Sequence, residues 1–215
     1  PDKWRREAAE FRADMDHKGL LKSDIAYGQN ARNRLDLFMP WGDLKGLVVF
    51  VHGGYWKEDF DKSVWSHLAK GAHAHGFAVA VPSYILCPQV RISDITVQIG
   101  LAIVRAAAEV AGPIHLTGHS AGGQLVARMI TATSPLPQGI RRRIRKTVAV
   151  SPLTDLRPLM KTKMNETLNL DAIEARLESP ALLEPHEDSD VTAWVGAAGR
   201  PEFIRQNALL ANIWS

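Results

Sequence analysis

The chain has 215 residues, enough to bury the core of one domain, and its 46% hydrophobic and 23% charged residues are an ordinary globular composition. A net charge of +3 is too small to argue for nucleic acid or a membrane surface as partner, and no apolar run approaches membrane-spanning length. The lone cysteine, Cys87, excludes an intrachain disulfide framework and fits a reducing, cytoplasmic setting. Pro1 to Glu7 are charged, without the apolar core of a signal peptide, and the missing initiator Met raises the expectation of residues ahead of Pro1.

Residues 3–17 predict a surface helix with Trp4, Ala8, Phe11 and Met15 on one side. Ile25-Ala26-Tyr27 and Leu35-Asp36-Leu37-Phe38 flank Gly28-Gln29-Asn30 as a hairpin at a sheet edge. Gly46 to Val51 is a continuous apolar, β-branched run, the pattern of a strand buried on both faces, and it leads into His52-Gly53-Gly54-Tyr55-Trp56. Ser63 to His75 predicts a helix with Trp65, Leu68, Ala69 and Ala72 inward, stopped by Gly76; Phe77 to Val81 is the next strand. Residues 94–110 form the clearest helix, with Ser93 as N-cap, Ile95, Ile99, Ile103, Ala106 and Val110 on one face, and Gly112-Pro113 as the stop. Ile114 to Leu116 is a short strand running into Thr117-Gly118-His119-Ser120-Ala121-Gly122-Gly123 and the helical run from Gln124. Thr147 to Ser151 and Val191 to Val195 are further strands. Residues 154–184 between them are irregular, with a helix from Asp171 and Glu174 placed for a capping box. Pro201 to Trp214 predicts a last helix. Apolar strands alternating with helices predict one α/β domain: three layers, a mostly parallel central sheet and helices on both faces.

Gly118-His119-Ser120-Ala121-Gly122 is a G-x-S-x-G sequence between a strand and a helix. A serine on so tight a turn needs small neighbours, because its backbone is strained while its hydroxyl points outward. His52-Gly53-Gly54-Tyr55-Trp56 ends another buried strand, at the edge where open α/β sheets bind ligands. Its glycines let backbone N–H groups turn toward a developing oxyanion, joined by the N–H of Ala121. Tyr55 and Trp56 are candidates for the wall of a substrate pocket, or for plain core aromatics; His52 reads as a structural histidine.

The pair HGGYW and GHSAGG, with Ser83-Tyr84-Ile85-Leu86-Cys87-Pro88 between them, resembles the α/β-hydrolase superfamily in its esterase/lipase branch. Ser151 to Leu159, Asn165-Glu166, Glu178 to Ala181 and Arg200-Pro201-Glu202-Phe203 are similar to the kynurenine formamidase (arylformamidase) group. The resemblance covers nearly the whole chain from about Tyr27. It implies a cofactor-free serine hydrolase acting on N-formylkynurenine-like aryl formamides or short acyl esters, with Ser120 as nucleophile and the N–H groups of Gly54, Tyr55 and Ala121 as oxyanion hole. A small-molecule substrate is the expected partner, and a homodimer is left open.

Two departures set this chain apart. The position of the family's acidic triad member falls on Gly199, which cannot orient an imidazole; Glu202 and Asp155 are the nearby carboxylates, the latter reading as an N-cap. The family's histidine follows one further strand, beyond Ser215, so the expectation is a chain lacking that strand, with an exposed apolar sheet edge prone to aggregate. A generic carboxylesterase or thioesterase, and a non-catalytic hydrolase-fold binding protein, are the alternatives. His186 reads as a loop residue, His119 as pointing away from the hydroxyl, and the basic cluster Arg141 to Lys146 as a solvated connection. His73 and His75, two apart on a helix, cannot chelate a metal together.

Overall fold

The run Leu47–Val51 forms β3, fourth of seven strands in the order β1-β2-β4-β3-β5-β6-β7 of a computed structural model that describes residues 2–215. The others are β1 (Leu21–Ala26), β2 (Arg34–Phe38), β4 (Ala78–Pro82), β5 (Ile114–His119), β6 (Ile144–Val150) and β7 (Val191–Trp194). Strands β3 to β7 pair in parallel, while β1 and β2 form the expected antiparallel hairpin and β2 adds antiparallel to β4.

Strand periodicity divides the core into two layers. Leu47, Val49, Val51, Ala78, Ala80, Leu35 and Leu37 face one side, while Phe50, Val79, Val81 and Phe38 face the other. Helices α4 (Ile92–Glu109) and α5 (Ala121–Arg128) cover the first side through Ile95, Ile99, Ile103 and Leu125. The second is covered by α1 (Asp2–His17), α2 (Lys62–Trp65) and α3 (Lys70–Ala74), through Phe11, Met15, Val64 and Trp65. Asp36, fully buried on that side, pairs with Arg12 of α1 and with Lys62 of α2 at 3.2 Å, so a desolvated carboxylate ties both helices to the hairpin. The short helices α6 (Gln138–Arg141), α7 (Asn165–Leu168) and α8 (Ala172–Leu177) follow. Helix α9 (Pro201–Ile213) reaches β7 through a hydrogen bond from Asn207 Nδ2 to Ala193 O. Among the described residues β7 has a strand neighbour on one side only, and its Trp194 is 63% exposed.

Four local expectations change. The helix over 63–75 is broken by a 3-10 turn, Ser66–Ala69, and the tighter winding swings Leu68 out of phase to 46% exposure. Helix α4 starts earlier, with Arg91 as N-cap and its N–H donated to Asp94; Ser93 lies inside the first turn and donates to Glu174 Oε1. Glu174 thus faces α4 and Arg91 instead of closing a capping box, while Asp171 caps α8 by accepting from Ile173 N and Glu174 N. Strand β6 begins at Ile144, which draws Arg145 and Lys146 into the sheet. Arg143 donates to the carbonyls of Ala107, Val110 and Gly112 at the end of α4.

Candidate active site

Chain order reverses at β3: β4 lies on one side of it and β5 on the other. The crevice at the carboxyl ends of β3 and β5 is where this architecture opens, and both singled-out motifs lie there. Ser120 follows β5 with φ 57° and ψ −116°, a conformation costly for a residue with a Cβ. It is over-determined by its surroundings: Ser120 N donates to Val150 O of β6, and Ser120 O accepts from Gln124 N of α5. Gly118 and Gly122 permit the turn, since a Cβ on Gly118 would stand 2.2 Å from Gly122 O.

After β3, Gly54, Tyr55 and Trp56 all have positive φ, 120°, 50° and 57°. That coil folds the loop back so that Gly54 O accepts from Lys57 N and Glu58 N. The backbone N–H groups of Gly54, Tyr55 and Ala121 donate to no acceptor among the described residues, which leaves three donors in the two loops beside Ser120. A cavity of about 390 Å³ opens there, and Tyr55, Glu58, Phe60, His119 and Ser120 line it together with Gly199 and Arg200.

Trp56 does not line this cavity. It is fully buried, and its indole Nε1 donates to Gln124 Oε1 at 3.1 Å, while Gln124 Nε2 donates to Glu178 O. Glu178 in turn binds Arg128 and Thr96, all buried. Trp56 therefore pins the 53–56 loop to the helix that carries Ala121, and the left-handed coil at 54–56 turns its ring inward while Tyr55 stays at the wall. Trp56→Phe should cost about 1–3 kcal/mol, because Gln124 Oε1 loses its donor in a dry site. In urea denaturation, adding Gln124→Leu to it should cost less than the sum of the single losses; strict additivity would sink this link.

His52 behaves as a structural group. Its ring is fully buried and stacked on Tyr84 at 4.4 Å, with Nδ1 2.8 Å from Gly53 O; that carbonyl requires the proton on Nδ1. Burial pulls its pKa down to about 4. The unfolded chain, with an ordinary histidine near 6.5, binds the proton first. Stability is therefore retained above that value and lost as pH falls from about 6.5 toward 4, by on the order of 3 kcal/mol. Burial lowers His67, His115 and His119 in the same direction. Unfolding free energies measured from pH 7.5 to 4.5 should fall with acid, and His52→Gln should flatten the slope; an unchanged slope would assign it elsewhere.

Of the other carboxylates, Glu58 lines the cavity and pairs with Lys57 at 3.5 Å. Asp155 accepts from Arg157 N and both ends of the Arg157 guanidinium, whose hydrogen bonds hold its pKa below the usual carboxylate value. Glu202 is likewise held down by Arg205 and receives Gln206 Nε2. Gly199 does lie on the cavity wall, and a Cβ there would meet Gly196 O at 2.9 Å. His119 lines the cavity, yet no histidine among the described residues hydrogen-bonds Ser120. His186 lines a separate cavity with Ile144, the first residue of β6, at the opposite edge of the sheet. Among the described residues no cluster of three or more His, Cys, Asp or Glu is placed for a metal ion, and no helix is long and apolar enough to cross a membrane.

Sequence reasoning missed Gln124, Phe60 and Trp65, and left Ser151 in a resembling stretch without a role. Only Ser151, with φ 47° where β6 meets a proline, marks itself structurally as part of the site. Arg200 and Phe203 stood in a quoted motif without a role.

A strained serine between a parallel strand and a helix, beside a loop with free N–H donors, has the shape of a nucleophile elbow. The alpha/beta hydrolase family profile matches residues 48–214, and the chain belongs to that family. It is similar to the kynurenine formamidase of Danio rerio, 27% identical over 194 residues, covering 86% of this chain and 65% of that protein. The kynurenine formamidase of Salmo salar is 27% identical over 202 residues, covering 88% and 68%. A crystal structure from Silicibacter sp. TM1040, described as a candidate thioesterase, is 50% identical and superposes with a TM-score of 0.96 over all of this chain and 80% of that one. The chain thus spans about two thirds of the length of the curated relatives.

Proposed function

We propose that this chain carries the nucleophile and oxyanion hole of a serine hydrolase for aryl formamides or short acyl esters. The observation that carries the reading is Ser120: strained, 6% exposed, on the wall of a cavity, beside three backbone N–H groups with no acceptor of their own. Ser120 Oγ attacks the carbonyl carbon while its proton passes to a base, and the carbonyl electrons move onto oxygen, held by the N–H groups of Gly54, Tyr55 and Ala121. Collapse re-forms the carbonyl and breaks the C–N or C–O bond; the leaving amine or alcohol takes the proton. Water, deprotonated by the same base, then hydrolyses the formyl- or acyl-serine. No histidine among the described residues hydrogen-bonds Ser120, so none of them is given the role of that base.

The formamide preference rests on similarity to the kynurenine formamidases, and a thioester alternative on the Silicibacter protein. A fluorophosphonate probe tests the nucleophile: labelling of Ser120 supports the reading, and a folded protein that resists the probe overturns it. Rates on N-formylkynurenine against p-nitrophenyl acetate then test the substrate class, a strong ester preference counting against the formamidase assignment. One observation favours a second reading, a hydrolase-fold binding protein: Gly199 stands on the cavity wall where a carboxylate would be needed.

A further inference from the structure

Helix α4 is apolar on both of its faces. Ile95, Ile99, Ile103 and Ala106 are buried against the sheet. On the outer side Val97 and Leu101 are 51% and 50% exposed, and half-buried Val104 and exposed Ala108 continue the line. Steps of four, three and four residues make a heptad seam, the stripe with which one helix packs on another. A helix that meets only water on its outer side carries charges there, as α1 does with Lys3, Arg5, Arg6, Glu10 and Asp14. On α4 the outer side has Asp94 near its start and Arg105 near its end, with the apolar stripe running past both. Helix α8 widens this surface. Glu174 accepts from Ser93 and Glu178 from Thr96, so α8 lies against α4, and its Ile173 and Leu177 are 73% and 54% exposed.

We propose that this face pairs with the same face of a second copy of the chain, the two α4 helices running antiparallel across a two-fold axis near Ile99. Charge selects both the partner and the orientation. In the antiparallel pair each Asp94 meets Arg105 of the other copy, and each Val97 meets Leu101 of the other copy, because both sets of positions are centred near Ile99. A parallel pair would set Asp94 against Asp94 and Arg105 against Arg105. Both charges keep a free end for the contact. Asp94 Oδ2 accepts from Arg91 N and Arg105 Nη1 donates to Glu109, while Asp94 Oδ1 and Arg105 Nη2 bond nothing among the described residues. The apolar side chains of α4 and α8 cover on the order of a few hundred Å², less than the roughly 800 Å² per partner of a standard interface. A reversible dimer with Kd of about 10 μM is therefore expected. None of these residues lines the Ser120 cavity, so the proposal stands apart from the hydrolase reading.

Sedimentation velocity of the whole chain, from about 1 to about 500 μM, tests this. The wild type should pass from monomer to dimer across that range, and Leu101→Glu should weaken the dimer about a hundredfold. Asp94→Arg and Arg105→Glu should each weaken it at least about tenfold, since each sets like charges face to face twice in the symmetric dimer. Mixing the two charge variants in equal amounts should restore it. In the mixed pair Arg at 94 meets Glu at 105, and the native Asp94 meets the native Arg105, so both contacts are attractive again. Far-ultraviolet circular dichroism of each variant checks that it is folded, and recovery on mixing shows the same directly. A wild type that stays monomeric throughout overturns the proposal. So does a dimer that survives Leu101→Glu, which would place the contact elsewhere, as at the open side of β7. Folded charge variants that do not recover on mixing overturn it as well.

Discussion

Ser120→Ala is expected to abolish fluorophosphonate labelling and, wherever a general base serves the serine, to lower turnover about a millionfold, while leaving the fold intact. The magnitude follows from the role: with the nucleophile gone, no acyl-enzyme forms, and only the free N–H groups of Gly54, Tyr55 and Ala121 still favour the oxyanion, a residual effect of roughly 10³–10⁴ over water. Little stability should change. The hydroxyl makes no hydrogen bond among the described residues, and alanine retains both the Cβ and the strain at φ 57°. A urea midpoint within the range of ordinary surface substitutions, about 0.5 kcal/mol, is the matching control. Full hydrolysis by the alanine variant would remove Ser120 from the mechanism, whatever its geometry.

The layering was legible because sheet periodicity is local. Leu47, Val49 and Val51 against Val48 and Phe50, and Ala78 and Ala80 against Val79 and Val81, announce a sheet covered on both faces. Ser120 was legible for a similar reason, since a strained turn writes its need for small residues into adjacent positions. What stayed hidden depends on partners distant in sequence. Trp56 reads the same beside a substrate or inside a core, and only its hydrogen bond to Gln124, sixty-eight positions on, decides for the core. Ser93 fits an N-cap until Glu174, eighty-one positions away, accepts its hydroxyl. Leu68 has the spacing of an inward residue, and a 3-10 turn that no residue there announces takes it out. Arg200 and Phe203 stood in a recognised motif, and only the fold, by setting them on the wall of the Ser120 cavity, ties them to the site.

Gly122→Ala should be among the most damaging single methyl groups that can be added to this chain. A Cβ there would stand 2.0 Å from Val51 O and 2.6 Å from His52 O, both backbone atoms at the end of the central strand. Neither can retreat, because Val51 is in register with Gly118 of β5 and Tyr84 Oη donates to His52 O. Helix α5 would have to lift off the sheet, dragging Gln124 from Trp56 and Ala121 from the 53–56 loop. Overpacking costs about 1–3 kcal/mol even where side chains can adjust; against backbone, a loss above about 3 kcal/mol is expected, a large share of the roughly 5–15 kcal/mol that holds a domain together. The measurement is urea denaturation, or soluble yield if the variant does not accumulate. Gly71→Ala is the contrast: nothing lies within 4 Å of its added methyl in α3, and alanine there should stabilise by about 0.5–1 kcal/mol. If both variants unfold at the wild-type midpoint, α5 does not sit as close to β3 as described. The close approach that forbids a methyl at 122 also sets Ala121, the next residue back, against the end of β3, so the stability lost and the proposed oxyanion hole share one cause.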